Sequence, residues 1–186
     1  SAMGNRLLCT TDPQQAEQLA VKLNEFNEQR KEIEAYVLLQ AMEMLEGSPQ
    51  QYPIAFVAGH DWHQGVIGIV AGKLKERYNL PSFVMSVEAD EVKGSARSIP
   101  EVDLGALIIA AKEKGILTKG GGHTMAAGFS LEEDKIEEFR NFAGEYVNAR
   151  IGGEEIVPVI ELDGVLDAAG ATVELAEQLE QLEPFG

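Results

Sequence analysis

Ile54-Ala55-Phe56-Val57-Ala58-Gly59-His60-Asp61-Trp62-His63-Gln64-Gly65-Val66-Ile67-Gly68-Ile69-Val70-Ala71, residues 54–71, decides the fold. Ile54 to Ala58 is an apolar run of strand length, a polar turn follows, and from Val66 to Tyr78 the pattern is helical. Ser82 to Val87 reads as the next strand, Lys93 to Ile99 as another, and Asp103 to Lys114 as a helix. Thr124 to Leu131 reads as a strand entered from a glycine loop. Glu132 to Arg150 reads as an acidic amphipathic helix with Ile136, Phe139, Phe142 and Val147 inward. Strands and helices taking turns predict an α/β fold, a mixed sheet flanked by helices.

Working outward, Thr11-Asp12-Pro13 is a helix start: a capping oxygen, then a proline whose missing N–H costs nothing in the first turn. Ala16, Leu19, Leu23, Phe26, Ile33, Val37, Ala41 and Met44 recur at spacings compatible with one helical face, until Gly47-Ser48-Pro49 stops the run. At about 1.5 Å per residue this is a rod on the order of 50 Å, too long for the interior of a domain this size. Its early part is polar from Asn24 to Glu32, as expected of a connecting helix that crosses solvent between two bodies. A coiled-coil dimerisation helix is the alternative, against which the a/d pattern breaks around Arg30. At the other end Gly152-Gly153 closes the α/β part, and a strand over Ile156–Leu166 and a helix over Thr172–Leu182 follow. Leu182-Glu183-Pro184-Phe185-Gly186 then reads as a turn with nothing after it.

The chain has 186 residues, 45% hydrophobic, 25% charged and 6% aromatic. That is enough apolar chain for a real core, which excludes a disordered acidic tail. The longest charge-free stretches, such as Trp62 to Gly72, fall short of the roughly 18 apolar residues of a membrane span. Ser1-Ala2-Met3 reads as a vector remnant rather than a leader. Cys9, the lone cysteine, allows neither an intramolecular disulfide nor a cysteine zinc site, and a cytoplasmic origin is expected. The formal charge of −16 argues against nucleic acid when taken whole. Divided along the chain it reads differently: residues 1–92 carry −6, residues 124–186 carry −12, and residues 93–123 carry +2.

The glycines gather in that basic middle third. Gly120-Gly121-Gly122-His123 precedes the small residues Ala126-Ala127-Gly128. Three glycines can take positive φ, so their N–H groups could converge into an anion site with the histidine as a further donor. In the extended segment Gly94-Ser95-Ala96-Arg97-Ser98, Ser95 and Arg97 project to one face, a hydroxyl beside a guanidinium fork. An edge strand protected by polar residues would show the same pattern. His60-Asp61-Trp62-His63 sits after a strand and before a helix. A metal reading is thin, with His123 the one other histidine. The alternative is an anion met by His63 and the helix N–H groups, with Trp62 as a packing or stacking surface.

Asp61 to Ala71, Lys93 to Ser98 and Gly120 to Gly128 resemble, in order and spacing, the DHH-associated domain of the RecJ family of single-stranded-DNA exonucleases, within the DHH phosphoesterase superfamily. Ala16 to Ala41 resembles the helix that links the two catalytic domains of that family. Leu182 to Gly186 resembles the lead into its oligonucleotide-binding domain. The resemblance implies four segments: 1–11, vector remnant and the end of a preceding domain; 12–47, linker helix; 48–151, substrate-binding domain; 152–186, lead-in to a truncated domain. It implies the substrate-binding part of a metal-dependent 5′→3′ exonuclease, with no catalytic or metal-ligating residue of its own. Mn²⁺ or Mg²⁺ would be held by an absent DHH domain. The implied partners are single-stranded DNA and that DHH domain, in a bacterial cytoplasm, in repair and recombination. By position, Ser95 and Arg97 would bind phosphate near the 5′ end, Gly121, Gly122 and His123 would face the scissile nucleotide, and His63 would line the same cleft. Ala96 stands where the family commonly has glycine. The alternative is a DHH phosphoesterase acting on short oligonucleotides or small phosphorylated substrates.

Overall fold

The computed structural model describes residues 2–47, 49, 51–88, 91–152 and 164–183. The chain divides into two compact units, 1–156 and 157–186.

In the first unit, α1 (Ala2–Cys9) precedes the long α2 (Pro13–Glu46). Residues 2–9 are thus helical, where the sequence reads as a remnant and a domain end. Asp12 caps α2, its carboxylate accepting the Gln14 N–H at 3.0 Å, and Gly47 closes it with an N–H to the Glu43 carbonyl. The buried seam is Glu34, Val37, Ala41 and Leu45. Phe26, Ile33 and Met44, placed by their spacing on one face with Val37 and Ala41, remain substantially exposed. The apolar residues of α2 continue beyond the part that meets the sheet.

The α/β part follows as β1 (Ala55–His60), α3 (Gln64–Tyr78), β2 (Ser82–Val87), β3 (Val92–Arg97), α4 (Leu104–Glu113), β4 (Lys119–His123), β5 (Ala126–Leu131), a 3₁₀ turn (Glu133–Lys135) and α5 (Ile136–Ile151). The sheet order is β1-β2-β3-β5-β4, with β1 and β2 parallel and every other pair antiparallel. The expected mixed sheet flanked by helices is what forms. Gly152 ends α5 in the left-handed region, φ 67.

The two faces of the sheet are covered differently. One carries Phe56, Phe83, Met85, Ala96 and Phe129 beneath Leu104, Leu107 and Ile108 of α4 and Phe139, Ala143 and Val147 of α5. Phe139 stands with its ring centroid 4.9 Å from Phe129 and 5.7 Å from Phe83. A Cβ on Gly94 would fall 2.2 Å from the Phe129 ring, so β3 runs bare beneath that phenyl group. On the other face α3 and the end of α2 cover β1 and β2 through Ala55, Val57, Val84, Val66, Ile67, Val70 and Val37. α3 reaches on over β3, where Gly68 faces Ser95 and Arg97, and leaves β5 and β4 largely uncovered. The sheet therefore keeps an open half-face, bordered by α3.

The expected glycine loop is a strand. Gly120, Gly121 and Gly122 pair in register with Phe129, Gly128 and Ala127. None has positive φ, so no nest of converging N–H groups forms there. Close approach explains two of the three: a Cβ at Gly120 would meet Ile108 of α4 at 2.6 Å, and one at Gly122 would meet Ala127 at 2.6 Å.

In the second unit α6 (Val173–Glu180) is capped by Thr172, whose hydroxyl accepts the Leu175 N–H. The strand expected over Ile156–Leu166 lies outside the described residues except for 164–166, which are not in a strand. The Pro184-Phe185-Gly186 turn also lies outside them.

Candidate nucleic-acid interface

Register places the polar residues of the open half-face in three rows. One row reads Lys93–Ser130–Lys119, the next Ser95–Gly128–Gly121, and the third Arg97–Ala126–His123. Along β3 the alternation is strict: Val92, Gly94 and Ala96 are buried against the core, while Lys93, Ser95 and Arg97 are half-buried on the open side. Rows two residues apart are ~7 Å from one another.

The middle row borders a groove of about 610 Å³. Its floor is Lys93, Ser95 and Arg97 of β3, Gly128 and Ser130 of β5, and Lys119 and Gly121 of β4; its wall is Gln64, Gly65, Gly68 and Ile69 of α3. Three cations line it and, among the described lining residues, no carboxylate does. Gly121 is open: nothing lies within 4 Å of where its Cβ would point. A Cβ on its cross-strand partner Gly128 would approach only the Gly94 carbonyl, at 4.0 Å. Neither backbone has positive φ, and bare glycine weakens a strand. Packing and backbone geometry thus leave both glycines unexplained, and together they bare a strip of backbone along the groove.

Beside this floor the Arg97 guanidinium folds over Ser95. Its Nη1 donates to the Ser95 hydroxyl at 3.2 Å and to the Ala96 carbonyl at 2.9 Å. This leaves its remaining N–H groups for an anion. Gly68 of α3 makes the room: a Cβ there would stand 3.1 Å from both Arg97 Nη2 and Ser95 Oγ. Ser98, next in the motif, is buried with its hydroxyl donated to the Val102 carbonyl, a structural role.

The two histidines behave alike. His63 caps α3, its Nδ1 accepting the Gly65 N–H at 3.0 Å; His123 Nδ1 accepts the Met125 N–H at 3.3 Å. An accepting Nδ1 leaves the proton of a neutral ring on Nε2, so each exposed ring presents Nε2–H outward as a donor. His123 is fixed by its turn, since the Thr124 and Met125 carbonyls accept the Leu104 and Ser98 N–H groups. Ser95, Arg97 and Gly121 line the groove itself. His123 stands at its end on the Arg97 row, Gly122 turns to the opposite face, and His63 lies one residue beyond the α3 wall. Trp62 packs rather than stacks: it is buried over Gly59 and donates Nε1–H to Gln40 of α2 at 2.8 Å. Asp61, φ 59, makes the tight turn that sends this indole inward.

Gln64, Gly68, Lys93, Lys119, Gly128 and Ser130 also line the groove and are not among the residues singled out from sequence. Lys93 has a signal there, two residues before Ser95. Lys119 and Ser130 have one only once residues 119–123 are read as a strand.

Among the described residues no three His, Cys, Asp or Glu side chains come together to hold a metal ion. The donor set lining the groove, lysines, an arginine, serines and glycines, does not fit a divalent-metal centre.

An α/β module with this sheet order, its polar half-face bare and a Gly-Gly-Gly-His strand at the edge, defines a class, and comparison with known proteins agrees. Residues 50–149 match the DHHA1 domain, and the chain belongs to that family. It is 36% identical over its whole length to the single-stranded-DNA-specific exonuclease RecJ of Dickeya dadantii, and 35% to that of Escherichia coli. It is 33% identical over 97% of its length to the RecJ of Bacillus subtilis. The chain spans at most a third of these relatives' length, 33%, 23% and 33% for the Dickeya, Bacillus and Escherichia proteins. The crystal structure of RecJ in complex with Mg²⁺ from Thermus thermophilus superposes on all of this chain with a TM-score of 0.84 at 26% identity, over 28% of that chain. Exonuclease RecJ bound to manganese matches 78% of this chain and 36% of its own, with a TM-score of 0.65. Among the described residues no helix is long and apolar enough to cross a membrane.

Proposed function

We propose that this chain is the substrate-binding part of a 5′→3′ exonuclease specific for single-stranded DNA. The observation that carries the reading is the bare Gly121–Gly128 pair beside the Ser95–Arg97 clamp. A sugar–phosphate backbone can lie against these two glycines while the guanidinium and hydroxyl take a phosphate near the 5′ end. His123, on the Arg97 row, offers Nε2–H to the scissile nucleotide with Gly121 on the same face, Gly122 contributing only backbone between them, and His63 offers the same donor from the α3 side. The relatives are named for cleavage of single-stranded DNA, and their solved neighbours carry Mg²⁺ or Mn²⁺.

In this reading, hydrolysis belongs to a separate DHH domain of the parent protein that holds Mn²⁺ or Mg²⁺. The present chain grips and orients the strand, α2 links the two bodies, and residues 152–186 lead toward an oligonucleotide-binding domain. The parent enzyme works in a bacterial cytoplasm, in DNA repair and recombination. The test is the affinity of the chain for a 5′-phosphorylated single strand, read by fluorescence anisotropy at low salt. Arg97→Ala should cost about 1–3 kcal/mol, the worth of charge-assisted hydrogen bonds. With Mn²⁺ present the chain alone should leave the strand intact. An Arg97→Ala variant of unchanged affinity would sink the clamp.

A further inference from the structure

Three cations reach the groove and the clamp described above uses one. Lys93 and Lys119 stand on the adjoining row, on either side of Ser130, to which both pair in register. That row is ~7 Å from Ser95, on the order of one nucleotide step of an extended strand. The two ammonium groups are held by one carboxylate: Glu91 Oε1 lies 3.3 Å from Lys119 Nζ, and Oε2 lies 3.9 Å from Lys93 Nζ. One oxygen to each lysine is how a phosphodiester would use the same pair. Lys119 foremost, with Ser130 and Lys93 behind it, holds the Glu91 carboxyl below its ordinary range. The lysines remain accessible, with side chains 41% and 77% exposed.

We infer that Lys93 and Lys119 form a second phosphate subsite, one row from the Ser95–Arg97 clamp, with Glu91 standing in for the phosphate until a strand arrives. The groove then takes two successive phosphates of one strand, with the Gly121–Gly128 floor lying alongside the clamp. This rests on the reading of the groove as a nucleic-acid site, and it makes two demands a single clamp does not. The lysines matter for a strand and not for a mononucleotide. Glu91 opposes strand binding, because it must release both lysines first.

The test compares binding of a 5′-phosphorylated oligothymidylate with competition by thymidine 5′-monophosphate, on the whole chain, with folding checked by circular dichroism. The Lys93→Gln/Lys119→Gln double variant should bind the oligonucleotide on the order of 10-fold more weakly, and its log–log salt slope should fall by about 0.7, the value for one phosphate on a single strand. Mononucleotide competition should not change. Glu91→Gln should tighten the oligonucleotide alone. Lys112→Gln, an exposed lysine on α4 at the opposite face, is the control for overall charge. A double variant that weakens both ligands alike, or matches the Lys112→Gln control, overturns the second subsite. Failure of the underlying reading looks different: Arg97→Ala would then leave both ligands unaffected.

Discussion

Gly68→Ala separates the two things a helical glycine can do. In the interior of α3, alanine should stabilise the fold by about 0.8–1 kcal/mol through helix propensity alone. Against this, the new methyl group would stand 3.1 Å from Arg97 Nη2 and Ser95 Oγ, inside ordinary contact distance. The guanidinium is the end of a flexible side chain, so it can withdraw by a few tenths of an ångström. Doing so stretches its bonds to Ser95 and Ala96, now 3.2 and 2.9 Å. That strain and the weakened bonds offset about half of the helical gain, leaving a net stabilisation of about 0.5 kcal/mol, or roughly 1–2 °C in Tm for a chain of this size. Strand affinity should move the other way, by about 1–2 kcal/mol, because an arginine displaced from Ser95 loses its alignment with phosphate. Gly72→Ala is the internal control: nothing lies within 4 Å of its Cβ, so it should gain the full helical increment and bind normally. Thermal melts and anisotropy titrations of the two variants decide the matter. A Gly68→Ala protein less stable by more than 1 kcal/mol would mean that Arg97 is a fixed structural strut. One with wild-type affinity would mean that phosphate does not sit at Arg97.

Two further outcomes test the fold around the groove. Gly94→Ala drives a methyl group to within 2.2 Å of the Phe129 ring, so urea unfolding should show a loss of about 1–3 kcal/mol, as for overpacked cores; a neutral result would mean that β3 does not run beneath that ring. Glu34 is buried in the α2–α3 seam, where Lys73, its nearest partner at 2.5 Å, and Arg30, at 2.6 Å, hold its carboxyl below the ordinary value of 4.5. A depressed folded pKa contributes stability that is present above pH 4.5 and lost as pH falls through the folded value. Glu34→Gln should therefore cost about 1–2 kcal/mol at pH 7, a range discounted because Lys73 is half exposed, and should flatten the stability curve below pH 4.5. Parallel acid titrations of the two proteins would contradict the pairing.

The sequence shows the order of elements because strand and helix periods alternate cleanly after Pro53, and it shows the Ser95–Arg97 face because the strand period is two. The glycine strand is hidden for a physical reason. Gly120 to Gly122 carry no side chain to display a period, so flexibility and close packing look the same until Phe129, Gly128 and Ala127 are seen opposite them. Lys119 is hidden with them, since its place beside Lys93 is set by Ser130, a residue distant in sequence. The buried seam of α2 is not marked in the sequence, because its apolar residues continue beyond the part that meets the sheet and Glu34, an acid, joins it through its bonds to Arg30 and Lys73.

The net charge of −16 remains to be set against a groove proposed to bind phosphates. Carboxylates are plentiful on α5, at Glu137, Glu138 and Glu145, but α5 packs through Phe139, Ala143 and Val147 on the face of the sheet opposite the groove. A helix layer lies ~10 Å from the sheet it covers, and the screening length in physiological salt is about 8 Å. Those acids are exposed, so mobile ions at the opposite surface screen them, while Arg97 and Lys93 are within contact reach of a phosphate in the groove. Repulsion from the acidic shell should strengthen as salt is removed, and so should attraction to the groove. The slope of affinity against salt measures the difference between the two, which is why the lysine and Lys112 variants have to be compared by slope as well as by affinity at one ionic strength.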